Sequence, residues 1–332
     1  MFTDYDIIKR LAVDAKNELD AVGGLRQIVF VSCGGSLSAA YPAQYFLRAN
    51  AINLRVEAFN SSEFLNAPPK FLCKNTLVIG ISTKATAETV EALKLANNMG
   101  CLTIALSGYA DSLTAKEGKY CLTYRFSDDW YDDPSLVHCN SMGTALKLAV
   151  ELLHLFENFP EYNEFLSAFA AMPKIYAKAY EKAKLMAVIF AQKYKKDTVF
   201  NVLGSGAAWE STYTDAFCFL QEMQSVHCVP CHSGEYFHGP FETCEDDLAI
   251  ILLKSVGRNR ILDERAEKFL RNFCKHHFVI DAKNLGLEEL GEVAEYFNPL
   301  ILRPISKQLI AALADARKHP LSTRRYMWKY DY

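Results

Sequence analysis

Two side chains in the second half of the chain have the chemistry of a proton-transferring pair. The first, Glu222, follows the apolar run Phe217-Cys-Phe219 in a predicted helix. These neighbours predict partial burial of its carboxylate, and burial moves a carboxylic acid toward the range in which it exchanges protons near neutral pH. The alternative is an ordinary glutamate on the solvent face of an amphipathic helix.

The second, His238, stands in Ser233-Gly-Glu-Tyr-Phe-His-Gly-Pro240, the most unusual segment of the sequence. The Gly-Pro pair that follows the histidine fixes a turn and stops a helix. A histidine held on a rigid turn suits acid or base catalysis, because imidazole titrates near neutral pH. The alternative is a packed or surface histidine with no catalytic task.

Two loops rich in glycine or hydroxyl groups each join a predicted strand to a predicted helix. In the first, Cys33-Gly-Gly-Ser36, Gly35 lets the backbone approach a ligand and Ser36 offers a hydroxyl beside the free N–H groups of the helix N-terminus. The second loop is Ser82-Thr-Lys-Ala-Thr86. Its hydroxyl groups belong to Ser82, Thr83 and Thr86.

Both loops are predicted to lie at the carboxyl ends of parallel strands, where ligands bind in open α/β sheets. Together they predict a site for a phosphate group. They form neither a P-loop nor a dinucleotide fingerprint, because no Gly-Lys-Ser/Thr follows and the third glycine is absent. The alternative is simple helix capping by Ser36 and Thr86, although Thr89 stands where a capping box needs Glu or Gln.

The segment His227-Cys-Val-Pro-Cys-His232 contains the pattern of a haem attachment site and four residues that bind zinc in other proteins. Haem attachment requires export, and such closely spaced zinc ligands normally need a second pair elsewhere. No second Cys-x-x-Cys is present. We therefore expect no metal and no cofactor, with Cys228 and Cys231 as unligated thiols.

The elements that position these residues follow from the hydrophobic pattern. Helices are predicted over residues 3–20, 37–50, 87–99, 207–224 and 259–273. Strands are predicted over residues 27–32, 54–58, 76–81, 101–106, 198–203, 248–253 and 276–280. Uninterrupted apolar strands alternating with amphipathic helices indicate an α/β fold with parallel sheets covered on both faces.

The strand–glycine loop–helix opening at Cys33-Gly-Gly-Ser36 returns at Gly204-Ser-Gly206, which indicates two copies of one α/β domain. Between them, residues 141–194 are almost wholly helical, with predicted breaks at Pro160 and Pro173. We expect a first domain over residues 1–158, a helical linker over 159–195 and a second domain over 196–332.

Composition excludes several classes of protein. The 332 residues are 50% hydrophobic and 23% charged, with a net charge of -3, as in an ordinary globular protein. No basic block suggests nucleic acid as a partner, and no apolar run is long enough for a membrane span. The acidic N-terminus lacks the features of a signal peptide, so we expect a cytoplasmic protein.

These motifs together resemble the double sugar-isomerase (SIS) domain proteins, whose best-known member is the isomerase half of glucosamine-6-phosphate synthase. Within that family, Ser233-Gly-Glu-Tyr-Phe-His-Gly-Pro240 and the ending His319-Pro-Leu-Ser-Thr-Arg-Arg-Tyr326 look most like the fructosamine (fructoselysine-type) 6-phosphate deglycases. The resemblance implies two SIS domains, each a parallel sheet flanked by helices.

The resemblance also implies functional roles. Glu222 matches the family's proton-transferring glutamate and His238 its ring-opening histidine, which is contributed across a homodimer. The hydroxyls of Ser36, Ser82 and Thr86 match its sugar-phosphate contacts. The implied reaction converts a fructosamine (Amadori) 6-phosphate to glucose 6-phosphate and a free amine through an enolamine and a C1 imine. Loops around residues 128–138 and the tail are expected to contact the amine.

The sequence departs from the family at the second loop, which is one residue shorter than usual and lacks its glycine, so the roles of Thr83 and Lys84 stay open. The tail lysine of the synthase is also missing. Alternatives are an amino-sugar-phosphate isomerase or deaminase, and a non-catalytic sugar-phosphate sensor of the same fold. A third alternative is a metal- or haem-binding protein.

Overall fold

A computed structural model describes residues 4–126 and 133–331 of the chain. The chain divides into two compact units, Met1–Pro173 and Lys174–Tyr332. The helices are α1 (Tyr5–Ala21), α2 (Gly34–Asn50), α3 (Ser61–Asn66), α4 (Ala87–Asn98), α5 (Leu113–Glu117), α6 (Ser141–Glu157), α7 (Tyr162–Tyr194), α8 (Trp209–Tyr213), α9 (Arg260–Phe273) and α10 (Asn298–Arg317). The strands are β1 (Gln27–Ser32), β2 (Arg55–Asn60), β3 (Thr76–Ser82), β4 (Leu102–Ser107), β5 (Tyr120–Thr123), β6 (Val199–Gly204), β7 (His227–His232), β8 (Ala249–Lys254) and β9 (His277–Asp281).

The first unit contains a five-stranded parallel sheet in the order β2-β1-β3-β4-β5. Every residue of β1, β3 and β4 is buried, as their uninterrupted apolar sequences predict. On one face, Val29 and Val78 pack with Phe64 of α3 and Leu93 of α4. On the other face Phe30 is equally buried, so the sheet is covered on both sides.

The second unit contains a four-stranded parallel sheet in the order β7-β6-β8-β9. Leu203 and Leu252 pack with Leu270 of α9 and with Tyr236, which comes from the loop after β7. The predicted α/β fold with two parallel sheets flanked by helices is confirmed.

Two details of the predicted elements are wrong. The helix α7 runs for 33 residues through Pro173, where a break was predicted. Proline removes one backbone hydrogen bond, and the burial of Met172 and Tyr176 on either side offsets that loss. The predicted helix over residues 207–224 is not one α-helix, because it passes through a 3-10 turn (Gly206–Ala208) and α8 into a π-helix (Thr214–Met223).

Five further helices and strands were not predicted: the short helices α3 and α5, the edge strands β5 and β7, and the long helix α10. In the described ranges, no helix has both the length and the apolar character that crossing a bilayer requires.

Candidate active site

The first sheet has one topological switch point, which lies between β1 and β3. From β1 the chain goes to β2 on one side, and it then returns to place β3 on the other side. Diverging connections open a crevice at the carboxyl ends of such strands, where ligands bind in this class of fold. The loops beginning at Cys33 and Ser82 both start at this crevice, so the structure brings the two predicted phosphate loops to adjacent strands.

The first loop is shorter than predicted because α2 already begins at Gly34, whose φ of +54° favours glycine. Gly35 and Ser36 form the first helical turn, and Cys33 occupies the N-cap position without a side-chain cap bond. Capping by Ser36 is therefore wrong. Among the described residues the Ser36 hydroxyl has no hydrogen-bonding partner, so it is available to a ligand.

The second loop closes on itself through Ser82. The Ser82 hydroxyl accepts a hydrogen bond from the Thr86 backbone N–H at 3.1 Å and donates one to Thr86 Oγ1 at 3.1 Å. Thr86 is the N-cap residue of α4, yet its side chain makes no cap bond. The Thr86 hydroxyl is exposed beside the open N-terminus of α4, so it keeps a proton to donate to an anion.

Thr83 ties this loop to the neighbouring strand. Its carbonyl accepts a hydrogen bond from the Gly108 N–H at 3.0 Å, and its hydroxyl accepts one from the Tyr124 hydroxyl at 2.9 Å. Lys84, the next residue, is exposed. The structure therefore gives Thr83 an anchoring position, which sequence reasoning missed because Tyr124 is distant in the chain.

The second sheet has the same switch point, between β6 and β8, but a side chain of the protein fills it. Asp263 of α9 is fully buried. Its carboxylate accepts hydrogen bonds from the Ser205 hydroxyl at 2.7 Å, the Ser255 hydroxyl at 2.6 Å and the Ser255 N–H at 2.8 Å. The Asp263 side chain therefore already occupies these hydroxyl and N–H donors at the ends of β6 and β8.

His238 lies on a loop that is fixed at both ends. Ser233 donates a hydrogen bond to Asp263 at 2.7 Å, and the Tyr236 side chain is fully buried. The turn after the histidine has Gly239 at φ +133° and Pro240 at the start of a 3-10 turn. His238 itself is exposed, and its imidazole makes no hydrogen bond or ion pair within the part of the chain that the structure describes.

Glu222 is the penultimate residue of the π-helix, and its side chain is 24% exposed. The predicted partial burial is therefore present. A Glu222 carboxylate oxygen, Oε1, lies 2.7 Å from Nη2 of Arg324 in the C-terminal tail, an ion pair that sequence reasoning missed. Glu222 and His238 belong to the same unit, and no hydrogen bond joins their side chains.

The Cys-x-x-Cys-His segment forms the edge strand β7, and this position disfavours a metal site. Side chains alternate along a strand, so Cys228 and Cys231, three positions apart, point to opposite faces of the sheet. Within residues 4–126 and 133–331, no group of three or more His, Cys, Asp or Glu side chains could hold a metal.

Part of the loop that was predicted to contact the amine, residues 128–132, lies outside the described residues. Of the described remainder, His138 is largely buried, and desolvation together with the positive charge of Lys147 lowers its pKa to about 3. An imidazole that stays neutral in this way is a poor partner for a carboxylate on a substrate.

Comparison with known proteins places the chain in a family. No protein-family model matches it. The chain is 32% identical to "Fructosamine deglycase FrlB" of Bacillus subtilis (strain 168), over 92% of each protein. It is 27% identical to "Fructoselysine 6-phosphate deglycase" of Escherichia coli (strain K12), over 90% of this chain and 85% of that protein.

Among solved structures, a Salmonella typhimurium LT2 protein assigned to the phosphosugar isomerases superposes with a TM-score of 0.93 at 36% identity. That match covers 100% of this chain and 99% of the other, so the expected fold is confirmed over the whole length. The chain therefore belongs to the fructosamine deglycase family of double-SIS-domain proteins.

Proposed function

We propose that this protein is a fructosamine-6-phosphate deglycase. It cleaves an Amadori compound phosphorylated on C6 into glucose 6-phosphate and a free amine or amino acid. The observation that carries the proposal is Glu222, a partly buried carboxylate in a chain whose curated relatives are named as deglycases.

The substrate phosphate binds at the crevice between β1 and β3. The supporting observation is the contrast between the two switch points. Asp263 accepts hydrogen bonds at one of them, and among the described residues no carboxylate bonds to the hydroxyls of Ser36 and Thr86 at the other. Gly35 and the N-termini of α2 and α4 add backbone donors, while Ser82 and Thr83 shape the second loop. A fixed phosphate holds the sugar in register for proton transfer.

Catalysis begins with ring opening, for which His238 supplies or relays the proton. Glu222 then removes a proton from C1. The C1–H electron pair forms a C1–C2 double bond, and the C2 carbonyl oxygen gains a proton, which gives the enolamine. Return of a proton to C2 moves the double bond to C1 and nitrogen. Water adds to C1 of this imine, and the C1–N bond breaks to release the amine.

The active unit is proposed to be a homodimer in the cytoplasm. His238 is exposed and has no partner in the described part of its own chain, as expected for a side chain that completes a neighbouring subunit's site. All ten cysteines are free, which agrees with a reducing compartment. The proposed steps require proton transfers and water, and no cofactor enters them.

The direct test is incubation of the purified protein with a panel of Amadori 6-phosphates that differ in their amine, followed by a coupled glucose 6-phosphate assay. The control panel consists of the same compounds without phosphate. We expect product only from the phosphorylated set. Conversion of an amino-sugar phosphate with no product from the panel would favour an isomerase or deaminase, and binding without turnover would favour a sensor.

A further inference from the structure

The ion pair between Arg324 and Glu222 joins the C-terminal tail to the candidate base. Arg324 Nη2 lies 2.7 Å from Glu222 Oε1, and the arginine side chain is only 9% exposed. In the described part of the chain, Glu222 forms no other ion pair. Because the guanidinium is buried, solvent and salt screen this pair less than a pair at the surface.

The tail holds Arg324 in place by several contacts. Its Nη1 donates to the carbonyls of Leu321 and Thr323, each at 2.8 Å, and the Trp328 ring lies 5.3 Å from the guanidinium carbon. The tail is in turn attached to the end of the π-helix, because Gln224 donates to the His319 carbonyl at 2.9 Å. The guanidinium is therefore fixed before any substrate arrives.

The ion pair with Arg324 leaves the Glu222 carboxylate accessible to a substrate. A carboxylate has about four acceptor sites, so one guanidinium contact leaves capacity for a proton. The Glu222 side chain also keeps 24% of its surface exposed. Part of the carboxylate therefore remains accessible beside the ion pair.

We propose that Arg324 is a positioning residue for the deglycase reaction. It holds the Glu222 carboxylate through Oε1 in one orientation, so that the remaining acceptor sites meet the C1 proton. The inference rests on the proposed function and extends it to a residue at the far end of the chain. The physical basis is orientation, since a base fixed in the reactive geometry loses less freedom on reaching the transition state.

The test compares three variants with the native enzyme: Arg324→Met, Arg324→Lys and Lys268→Met. Lys268 is an exposed residue of α9, outside the tail and the candidate site, so its variant is the control for loss of one positive charge. For each protein, kcat and KM are measured with an accepted Amadori 6-phosphate, and the melting temperature is measured alongside.

We expect Arg324→Met to lower kcat about 10- to 100-fold, the range for losing a charge-assisted contact. Its KM should stay close to the native value, because the substrate phosphate binds elsewhere. Arg324→Lys should recover part of the lost kcat, since it restores the charge. Lys268→Met should behave as the native enzyme does.

Other results would overturn the inference. A native kcat in Arg324→Met would show that the pair does not serve catalysis, and a raised kcat would show that the pair blocks the base. A lower melting temperature with no recovery in Arg324→Lys would show a purely structural contact. A native enzyme inactive on every Amadori phosphate would overturn the proposed function, and this inference with it.

Discussion

Ser233 and Asp263 connect the loop that carries His238 to helix α9: the serine hydroxyl donates to Asp263 Oδ1 at 2.7 Å. The same carboxylate accepts hydrogen bonds from Ser205 and Ser255, at the ends of β6 and β8. One buried anion therefore organises three loops at the carboxyl edge of the second sheet. Its loss should affect the position of His238 as well as stability.

Replacing Asp263 with alanine should lower the free energy of unfolding by about 3 kcal/mol or more, because several buried donors lose their acceptor. Asp263→Asn keeps one acceptor oxygen, so its free energy of unfolding should fall by less. Urea denaturation near neutral pH measures the free energy of unfolding of both variants. The matched control is Lys268→Ala, an exposed position of the same helix. An Asp263→Ala protein as stable as this control would contradict the assigned role.

The phosphate site predicts a selective effect of Ser36→Ala. Loss of one hydrogen bond to a charged phosphate should raise KM for a phosphorylated substrate roughly 10-fold. Ser38→Ala is the control, since the Ser38 hydroxyl donates within the same helix to the Gly35 carbonyl at 2.9 Å. Steady-state kinetics with both variants checks this. Equal KM values for the two variants would argue against a phosphate at Ser36.

The thiols of the Cys-x-x-Cys segment should be inert in the folded protein. Burial raises the pKa of Cys231 to about 11, and that of Cys228 above its ordinary range as well. Because only the thiolate reacts, Cys228 and Cys231 should resist a thiol reagent near neutral pH until the protein is denatured. Elemental analysis of the same sample should find no stoichiometric zinc. Prompt labelling of either cysteine, or one zinc per chain lost together with activity, would contradict this.

Asp215 should make stability depend on pH. It is almost fully buried, and burial raises its pKa well above the ordinary value, an effect that the neighbouring charge of Glu210 reinforces. The folded protein therefore keeps a proton that the unfolded chain releases, so Asp215 lowers stability progressively as pH rises above about 3.9, by about 1.4 kcal/mol per pH unit up to the folded pKa.

Asp215→Asn removes this titration. The variant should be more stable than the native protein at pH 7, and the difference should shrink toward pH 4. Denaturant unfolding at several pH values measures the effect. A difference that does not change with pH would contradict the assigned protonation.

The local hydrophobic pattern was sufficient to predict most strands of the two sheets. The strand β1 has the bounds that its apolar run predicts, and β3 and β4 differ from prediction by a residue at their ends. The strand β7 was not predicted, because its histidines and Pro230 are atypical of a strand interior. Proline is tolerated there because β7 lies at the edge of its sheet.

The site was predictable where its chemistry is local and not where it depends on contacts between distant segments. The exposed turn of His238 and the partial burial of Glu222 follow from neighbouring residues. Neither Asp263 nor Arg324 carries a local signal, since an acid on an amphipathic helix and an arginine near the terminus are ordinary surface residues. Only folding brings three serine hydroxyls to Asp263 and the Glu222 carboxylate to Arg324.

The central claim is that Glu222 transfers the proton between C1 and C2, and Glu222→Gln tests it most directly. Glutamine keeps the shape of the side chain without its basicity, so glucose 6-phosphate release should fall at least about 10²-fold, the lower range for general acid–base groups. Binding of the sugar phosphate should survive. Near-native release of glucose 6-phosphate by Glu222→Gln would contradict the account.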